Sequence, residues 1–307
     1  MRNILVTAIS GDIGNGIVKI LKDTDCRLYG SDINEIAAGM DKVDEFWTCK
    51  SAFDRDYIQE LLEHCIKKHI THLIPVNERE IEVVSKNRDK FENKGIKLAM
   101  QSQEVLDICL DKLETSRYLD GIGLCVPKVI ESREQIKSDQ KYIIKPRKSN
   151  GSKGLIICSG SEIKEMYFSD TSVIQEYIEG DEYTVGLFKN KDVVNSIIFK
   201  RRLKNGYSNY VELTREKAID EIVDKISQQL DFEGYINLQM RNMNGKFYIF
   251  EINPRISGTV RFRHLLGFED VIWWLDCLDN IPTPQYKCKY ERAVGVRELN
   301  EKYLVME

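Results

Sequence analysis

Glu251, Asn253 and Arg255 are the residues whose types and spacing most directly suggest chemistry. Glu251 lies near the end of the run Lys246–Ile252, which predicts a strand, and Asn253 and Arg255 continue it. Residues two apart in a strand share a face. A carboxylate and an amide oxygen at this spacing can both ligate a hard cation such as Mg²⁺, and the guanidinium beside them can neutralise a transferring phosphoryl group. The alternative is an edge strand whose polar face is solvated.

The preceding strand, Tyr235–Arg241, adds a further candidate metal ligand. A turn over residues 242–245 predicts a hairpin, which brings Gln239 to the face that carries Glu251. By the same alternation, Phe250 and Ile252 are expected on the opposite face.

A pair of lysines and a small-residue loop form a second group. Lys145 ends an apolar strand, where a charge needs an anionic partner, and Lys112 opens a predicted helix. In the loop 148–154, Gly151, Ser152 and Gly154 let backbone N–H groups approach phosphate oxygens closely. Strands on both sides indicate a flap, and a mobile surface turn that binds nothing is the alternative.

The segment 175–182 runs from an apolar strand through a glycine turn into the next strand. Backbone groups of Glu176, Tyr177 and Ile178 can supply the acceptor and donor that a purine base requires, and Glu182 can bind ribose hydroxyls. An acidic hairpin tip is the alternative.

Glycines near the amino terminus resemble a dinucleotide fingerprint. Residues 11–16 follow a strand and open a helix, and Asp32 ends the next strand. Their spacing is G-x-x-G-x-G, whereas the dinucleotide motif is G-x-G-x-x-G. The sequence favours a Rossmann-like supporting domain over NAD binding. Asn77 and Glu78, which follow a later strand of this domain, either face the cleft that holds the candidate site or cap a helix.

Two basic runs have no fixed motif around them. Residues 200–202 and the group Arg261, Arg263 and His264 can reach a triphosphate or a substrate carboxylate, but the sequence favours a solvated basic face for both. Ser257 and Gly258, which follow the candidate metal strand, are further candidates for binding a substrate carboxylate.

The elements that must position these residues fall into two classes. Residues 1–104 alternate short apolar runs with amphipathic stretches, which predicts a Rossmann-like α/β domain with a parallel sheet. Residues 105–307 combine strands with helix 216–230 and predict an α+β unit. Its flap lobe covers about 112–175 and its catalytic lobe about 176–307.

Composition excludes several classes of protein. The 307 residues carry 45 Lys and Arg against 49 Asp and Glu, and no segment has the surplus of basic residues that nucleic acid binding would require. The sequence has neither a signal-peptide core nor a stretch of roughly 18–20 apolar residues, so we expect a cytoplasmic protein without membrane partners. The eight cysteines show no zinc spacing, which favours reduced thiols.

The order of the pieces, over residues 105 to about 300, resembles the ATP-grasp superfamily: Asp111-Lys112, Ile144-Lys145-Pro146 with a glycine flap, 175–178 with Glu182, Gln239, and Glu251-x-Asn253-Pro254-Arg255. The chain is most similar to short proteins like one synthetase half of the carbamoyl-phosphate synthase large subunit, a group that includes the pyrrolysine-pathway ligase.

The resemblance implies a role for each position. Lys112 and Lys145 contact nucleotide phosphates, with Gly151, Ser152 and Gly154 closing over them. The segment Glu176, Tyr177 and Ile178 binds adenine, and Glu182 binds ribose. Gln239, Glu251 and Asn253 hold two Mg²⁺ ions, for which Mn²⁺ is an alternative, while Arg255 and Asn253 act in catalysis.

The resemblance therefore implies an ATP-dependent, ADP-forming ligase that activates a small-molecule carboxylate as an acyl phosphate for attack by an amine or a thiol. Two other classes stay open. One is an NAD(P)-dependent sugar or small-molecule reductase that uses the first domain, and the other is a non-catalytic nucleotide-binding regulator. The sequence names neither substrate, and a homodimer is an open alternative to a monomer.

Overall fold

The computed structural model describes residues 1–148, 154–163 and 168–298. The order of the elements along the chain follows the sequence prediction closely. Within these described residues the strands form three sheets, which contain five, three and six strands.

The first sheet is parallel, with the strand order β3-β2-β1-β4-β5. Buried aliphatic residues dominate its centre, because helices cover a parallel sheet on both faces. Its strands are β1 (Arg2–Val6), β2 (Cys26–Asp32), β3 (Glu45–Thr48), β4 (His72–Ile74) and β5 (Lys97–Leu98). The prediction of a parallel-sheet amino-terminal region is confirmed, although it lacked β3.

Among the described residues, four helices pack around this sheet. They are α1 (Asp12–Leu21), α2 (Tyr57–Lys67), α3 (Glu78–Ser85) and α4 (Arg88–Glu92). The sequence pattern over 81–93 predicts one continuous helix, but the structure has two, with a break between α3 and α4. Asn87 causes the break: its side-chain amide donates to the Val83 carbonyl and competes with the backbone ladder.

The second sheet is antiparallel, with the order β7-β6-β8. It follows two helices, of which the first was not predicted. These elements are α5 (Gln103–Cys109), α6 (Lys112–Gly121), β6 (Lys141–Pro146), β7 (Ile156–Ser159) and β8 (Ser172–Glu176). Gly151 and Ser152, assigned to the flap from the sequence, lie outside the described residues.

The third sheet is antiparallel, with the order β13-β12-β9-β10-β11-β14. Its strands are β9 (Asp181–Asn190), β10 (Val193–Lys204), β11 (Tyr207–Thr214), β12 (Gly234–Met243), β13 (Lys246–Asn253) and β14 (Val294–Val296). The helices that pack beside it are α7 (Lys217–Gln229), α8 (Val260–Leu265) and α9 (Asp270–Leu278). Strand β11 and helices α8 and α9 were not predicted.

One hydrophobic cluster joins the first sheet to the third. It contains Ile4 and Val6 of β1, Phe188 of β9, and Trp273 and Trp274 of α9, all buried. The tryptophans therefore serve the core, as expected. The first and third sheets share one continuous apolar interior. This packing fixes the positions of their polar edges relative to each other.

None of the eight cysteines, all of which the structure describes, is paired. Within the described part of the chain, no helix is both long enough and apolar enough to span a bilayer.

Candidate active site

A cavity of about 630 Å³ opens where the three sheets meet. Its volume falls in the range of about 300–1,000 Å³ typical of small-molecule sites. Its lining includes ten of the residues that the sequence assigned to a nucleotide and metal site: Lys112, Lys145, Glu176, Tyr177, Ile178, Glu182, Gln239, Glu251, Asn253 and Arg255. Gly154, which is also described, does not line the cavity. The structure brings these residues together around one cavity, whereas their roles in nucleotide and metal binding stay predictions.

A β-bulge places Glu251 and Gln239 on the same face. Met240 pairs with Ile249, but the register then shifts and Gln239 pairs with Glu251. An unbroken register would pair Gln239 with Phe250 and turn Glu251 to the opposite face. The expectation that Phe250 faces away from the site is wrong, because Phe250, the extra residue of the bulge, lines the cavity together with Glu251. Ile252, in contrast, is buried in the core as expected.

The two candidate phosphate lysines approach the end of β13 from helix α6, which carries Lys112, and from strand β6, which carries Lys145. Lys112 Nζ lies 3.6 Å from Glu251 Oε1. Lys145 Nζ donates to the Phe250 carbonyl over 3.1 Å. The pKa of Lys145 is lowered to about 8, chiefly because the side chain is buried; Glu251 opposes this lowering and Lys112 contributes to it. Positive charge is therefore concentrated beside one carboxylate, at some cost in stability.

A local ion pair fixes where helix α6 begins and so positions Lys112. The Asp111 side chain caps the helix by accepting from the Leu113 amide over 3.0 Å. The same carboxylate binds Arg147 Nη2 at 2.8 Å, just after β6. The cap and the ion pair tie the start of α6 to the strand that carries Lys145.

Glu182 lies between two guanidinium groups. Its Oε1 accepts from Arg201 Nη2 at 2.7 Å, and its Oε2 accepts from Arg241 Nη2 at 3.1 Å. Arg241 also donates to the Tyr177 hydroxyl over 2.8 Å and to the Ile178 carbonyl over 3.2 Å, so it holds the segment that connects the second and third sheets.

Arg201 corrects one expectation from the sequence. It was expected on a solvated basic face, but its side chain is only 9% exposed and forms part of the cavity wall. Its burial follows from its register, because it lies directly opposite Glu182 on the adjacent strand. Arg202, the next residue, is exposed and stacks on the Tyr210 ring, as expected of a solvated side chain.

Arg263 is also not solvated, contrary to expectation. It is fully buried and donates to Asp270 over 2.6 Å and to the hydroxyls of Ser257 and Thr259. Gly186 makes room for it, because a Cβ at that position would lie 2.7 Å from Arg263 Cδ. Burial raises the pKa of Asp270, and Arg263 opposes the rise. Through its bond to the Ser257 hydroxyl, Arg263 fixes a side chain that lines the cavity.

The amino-terminal domain contributes the opposite wall. Arg255 Nη2 donates to Glu78 Oε1 over 2.7 Å, which connects β13 to the start of α3. Both interpretations of Asn77 and Glu78 are confirmed. Asn77 caps α3 in a capping box with Glu80, and Asn77 and Glu78 both line the cavity.

The amino-terminal glycine turn has a structural explanation that involves no nucleotide. A Cβ on Gly14 would lie 2.4 Å from the Ala8 carbonyl oxygen, so glycine is required for the turn to pack on the helix. Asp32 uses both carboxylate oxygens internally: Oδ2 accepts from the Ser10 amide and hydroxyl, and Oδ1 from the Asn34 amide and side chain. An acidic residue saturated in this way is poorly placed to bind a dinucleotide ribose.

The candidate metal ligands suit a nucleotide-bound cation. Among the residues that the structure describes, no group of three or more His, Cys, Asp or Glu side chains is arranged to hold a metal. Gln239, Glu251 and Asn253 instead offer one carboxylate and two amides, and the buried Asn253 Nδ2 has no hydrogen-bond partner among those residues. Mg²⁺ commonly binds one or two carboxylates and completes its shell with phosphate and water oxygens, so this set fits it.

Comparison with known families decides the assignment. The family described as the ATP-grasp domain matches residues 109–259, and the family described as the PylC-like N-terminal domain matches residues 4–99. The chain contains an ATP-grasp domain that follows a PylC-like N-terminal domain. The two ATP-grasp lobes correspond to the second and third sheets, and the cavity lies between them.

Curated relatives of this ATP-grasp protein are ligases and synthases. It is 29% identical to the D-alanine–D-alanine ligase of Thermotoga petrophila over 50% of this chain and 59% of that protein. It is 26% identical to the arginine-specific carbamoyl phosphate synthase large chain of Bacillus subtilis over 56% of this chain and 19% of that protein. The chain therefore spans less than two thirds of either relative.

Solved structures agree on the fold. N5-carboxyaminoimidazole synthetase from Staphylococcus aureus in complex with ADP has a TM-score of 0.74 at 14% identity, covering 97% of this chain and 82% of that one. The L-amino acid ligase from Bacillus licheniformis has a TM-score of 0.70 at 14% identity, covering 91% and 72%. These similarities confirm the predicted fold, a Rossmann-like domain followed by a two-lobed ATP-grasp unit.

Proposed function

We propose that the protein is an ATP-dependent ligase that joins a small-molecule carboxylate to an amine and releases ADP and phosphate. The observation that carries the proposal is the convergence of two lysines, Lys112 and Lys145, on the one strand end that presents Glu251 and Asn253. Cationic side chains for a triphosphate and oxygen ligands for its cation then share one cavity. The activities named for its relatives agree with this class of reaction.

We place the nucleotide between the two ATP-grasp lobes. Its base would lie against the apolar wall formed by Ile143, Ile157 and Leu203, where the backbone of 176–178 offers hydrogen bonds. Leu203 and Ile157 are half-exposed, and a base bound against this wall would cover them. Glu182 would accept from a ribose hydroxyl.

At the other end of the nucleotide, Lys112 and Lys145 would contact the phosphates, and the loop containing Gly151, Ser152 and Gly154 would cover them. Gln239, Glu251 and Asn253 would hold Mg²⁺, which when bound neutralises phosphate charge and orients the γ-phosphoryl group. Arg255 would stabilise charge on the transferred phosphoryl group.

The reaction then needs no side-chain nucleophile. A substrate carboxylate oxygen attacks the γ-phosphorus, the bond to the β-γ bridging oxygen breaks, and ADP leaves. The amine nitrogen attacks the carbonyl carbon of the acyl phosphate, and the tetrahedral species expels phosphate as the amine loses a proton. The chain orients the two substrates, excludes water and stabilises the charge that develops, which are the main contributions of a protein to phosphoryl transfer.

We propose two functional units for this reaction, residues 1–104 and residues 105–307. The first provides the acceptor wall through Asp12, Asn77 and Glu78, and the second provides the nucleotide site. The Glu78–Arg255 ion pair connects the two across the cavity.

A phosphate-release screen tests the proposal. Purified protein with Mg-ATP is offered carboxylates and amines in pairs, and each product is identified by mass. We expect release that requires one carboxylate and one amine together, and that Glu251→Ala abolishes it without loss of fold. Binding of Mg-ATP without turnover by any pair would instead indicate a nucleotide-binding regulator, and binding of NAD(P) in place of ATP a reductase.

A further inference from the structure

Arg201, Glu182 and Arg241 form a cross-strand triplet on three adjacent strands. Glu182 of β9 is directly opposite Arg201 of β10 on one side and Arg241 of β12 on the other. Directly opposed side chains of antiparallel strands lie close enough to pair. The carboxylate consequently has a guanidinium on each oxygen, and its side-chain conformation is fixed from both sides.

Arg201 makes one further contact that Arg241 does not. Its Nη2 donates to Gln239 Oε1 over 2.8 Å, while its Nε and Nη2 bind Glu182 Oε1 at 2.9 and 2.7 Å. One planar guanidinium therefore holds the carboxylate and the amide in a fixed relative position. It also fixes which end of the Gln239 amide is directed to the guanidinium, because only the oxygen can accept.

Both partners of Arg201 line the cavity and have separate tasks in the proposed function. Glu182 would bind the ribose, and Gln239 would bind the metal at the phosphate end. The Gln239 oxygen has two lone pairs, of which Arg201 occupies one and leaves the other for a ligand. The Arg201 and Glu182 side chains are only 9% and 13% exposed, so water screens their contact weakly.

We propose that Arg201 is a positioning residue that links the nucleoside subsite to the metal subsite. It fixes Glu182 for the ribose and Gln239 for the cation at once, so that a nucleotide meets both ends of its site already arranged. The inference rests on the proposed function, because it assigns ATP to this cavity. It gives a role in the site to a residue for which the sequence favoured a solvated basic face, and it couples two subsites that would otherwise act separately.

Nucleotide binding without turnover tests this role. Adenosine affinity is measured by ligand-observed NMR, which reports weak complexes, and ADP affinity by calorimetry with Mg²⁺ or with EDTA. The variants are Arg201→Met and Arg201→Lys, with Arg202→Met as the matched control, because Arg202 is exposed and only stacks on Tyr210. Circular dichroism and urea unfolding establish that each variant is folded.

We expect Arg201→Met to weaken adenosine binding on the order of 10-fold, because Glu182 loses a charge-assisted partner. The gain in ADP affinity that Mg²⁺ provides should also fall by several-fold. Arg201→Lys retains the charge beside Glu182 but has no fork to reach Gln239 as well, so it should keep most of the adenosine affinity and lose the Mg²⁺-dependent gain. If Arg201→Met does not fold, Arg201→Lys still tests the positioning role.

Three results would overturn the inference. Adenosine binding by Arg201→Met at the wild-type affinity would reduce Arg201 to a phosphate contact. A Mg²⁺-dependent gain that survives in Arg201→Lys would show that the two subsites are not linked through the guanidinium. Wild-type protein that binds neither adenosine nor ADP would remove the proposed function itself, which separates that failure from a failure of the positioning role.

Discussion

Lys112 Nζ and Glu251 Oε1 lie 3.6 Å apart, although helix α6 and strand β13 are distant in the sequence. The contact forms because the Asp111–Arg147 pair sets where α6 begins and the bulge in β12–β13 turns Glu251 toward it. A phosphate placed beside Lys112 would therefore lie next to the one carboxylate among the candidate metal ligands.

Lys145→Met should stabilise the ligand-free protein by about 1–3 kcal/mol, because burial disfavours the charged lysine at neutral pH. The same change should abolish tight nucleotide binding by removing a phosphate contact. Urea unfolding and nucleotide titration measure the two effects. Lys141→Met is the matched control on the same strand: its exposed ammonium pairs only with Glu179, and both quantities should stay near wild type.

Nucleotide binding should take up protons in mildly alkaline solution. The folded pKa of Lys145 is about 8, and phosphate oxygens beside the ammonium would raise it. Uptake should be small at pH 7 and largest above pH 8, and calorimetry in buffers with different ionisation enthalpies measures it. Uptake that is unchanged in Lys145→Met would contradict the assignment.

The same lysine sets the sign of one pH effect on stability. Above about pH 8 the folded Lys145 releases its proton, while an unfolded lysine keeps its own until about pH 10.4. The unfolded state then binds more protons, so this group makes the free energy of unfolding rise with pH over that interval. Comparing wild type with Lys145→Met from pH 7.5 to 10 isolates the contribution, and a lower rather than higher slope in wild type would refute it.

The buried Arg263–Asp270 pair should matter more for stability than any surface pair. Arg263→Met or Asp270→Asn alone should cost about 3–5 kcal/mol, because each leaves a buried charge or donor without its partner. The double variant should cost less than the sum of the two. Glu92→Gln, which breaks the partly exposed Arg88–Glu92 pair, should change stability by less than about 1 kcal/mol. Additive costs at 263 and 270 would show that the two side chains act independently.

Gly14→Ala should destabilise the protein by about 1–3 kcal/mol, since its Cβ would meet the Ala8 carbonyl oxygen at 2.4 Å. Gly121→Ala, at the end of α6, is the control: a Cβ there has no neighbour within 4 Å, so the change should be neutral or slightly stabilising. Equal effects of the two substitutions on the urea midpoint would mean that the turn does not require a glycine for packing.

The alternation of residues along the strands predicted most of the cavity wall. The register of the hairpins explains where that prediction was right and where it was wrong. The β9–β10 turn is short, so counting back from Asn190 and Val193 pairs Glu182 with Arg201. That signal was present in the sequence and would have predicted a buried Arg201. The shift after Met240 follows no residue pattern, so alternation gave the right side for Glu251 and the wrong side for Phe250.

Burial of single charges was harder to infer. Arg263 lies in a basic run that resembles a solvated surface, and only the packing of α8 against β9 places it beside Gly186 and Asp270. The break between α3 and α4 depends on one side-chain hydrogen bond from Asn87, which helix periodicity does not reveal. Local patterns predict elements and faces, whereas these features depend on contacts between distant segments.

The most direct measurement is the affinity of wild type and Glu251→Gln for ATP, each with Mg²⁺ and with EDTA. The substitution keeps the shape of the side chain and removes its charge. We predict that Mg²⁺ tightens ATP binding to wild type at least 10-fold, as two added metal–oxygen contacts would, and has little effect on the variant. Wild type that does not bind ATP, or a variant that keeps the full dependence on Mg²⁺, would contradict the account.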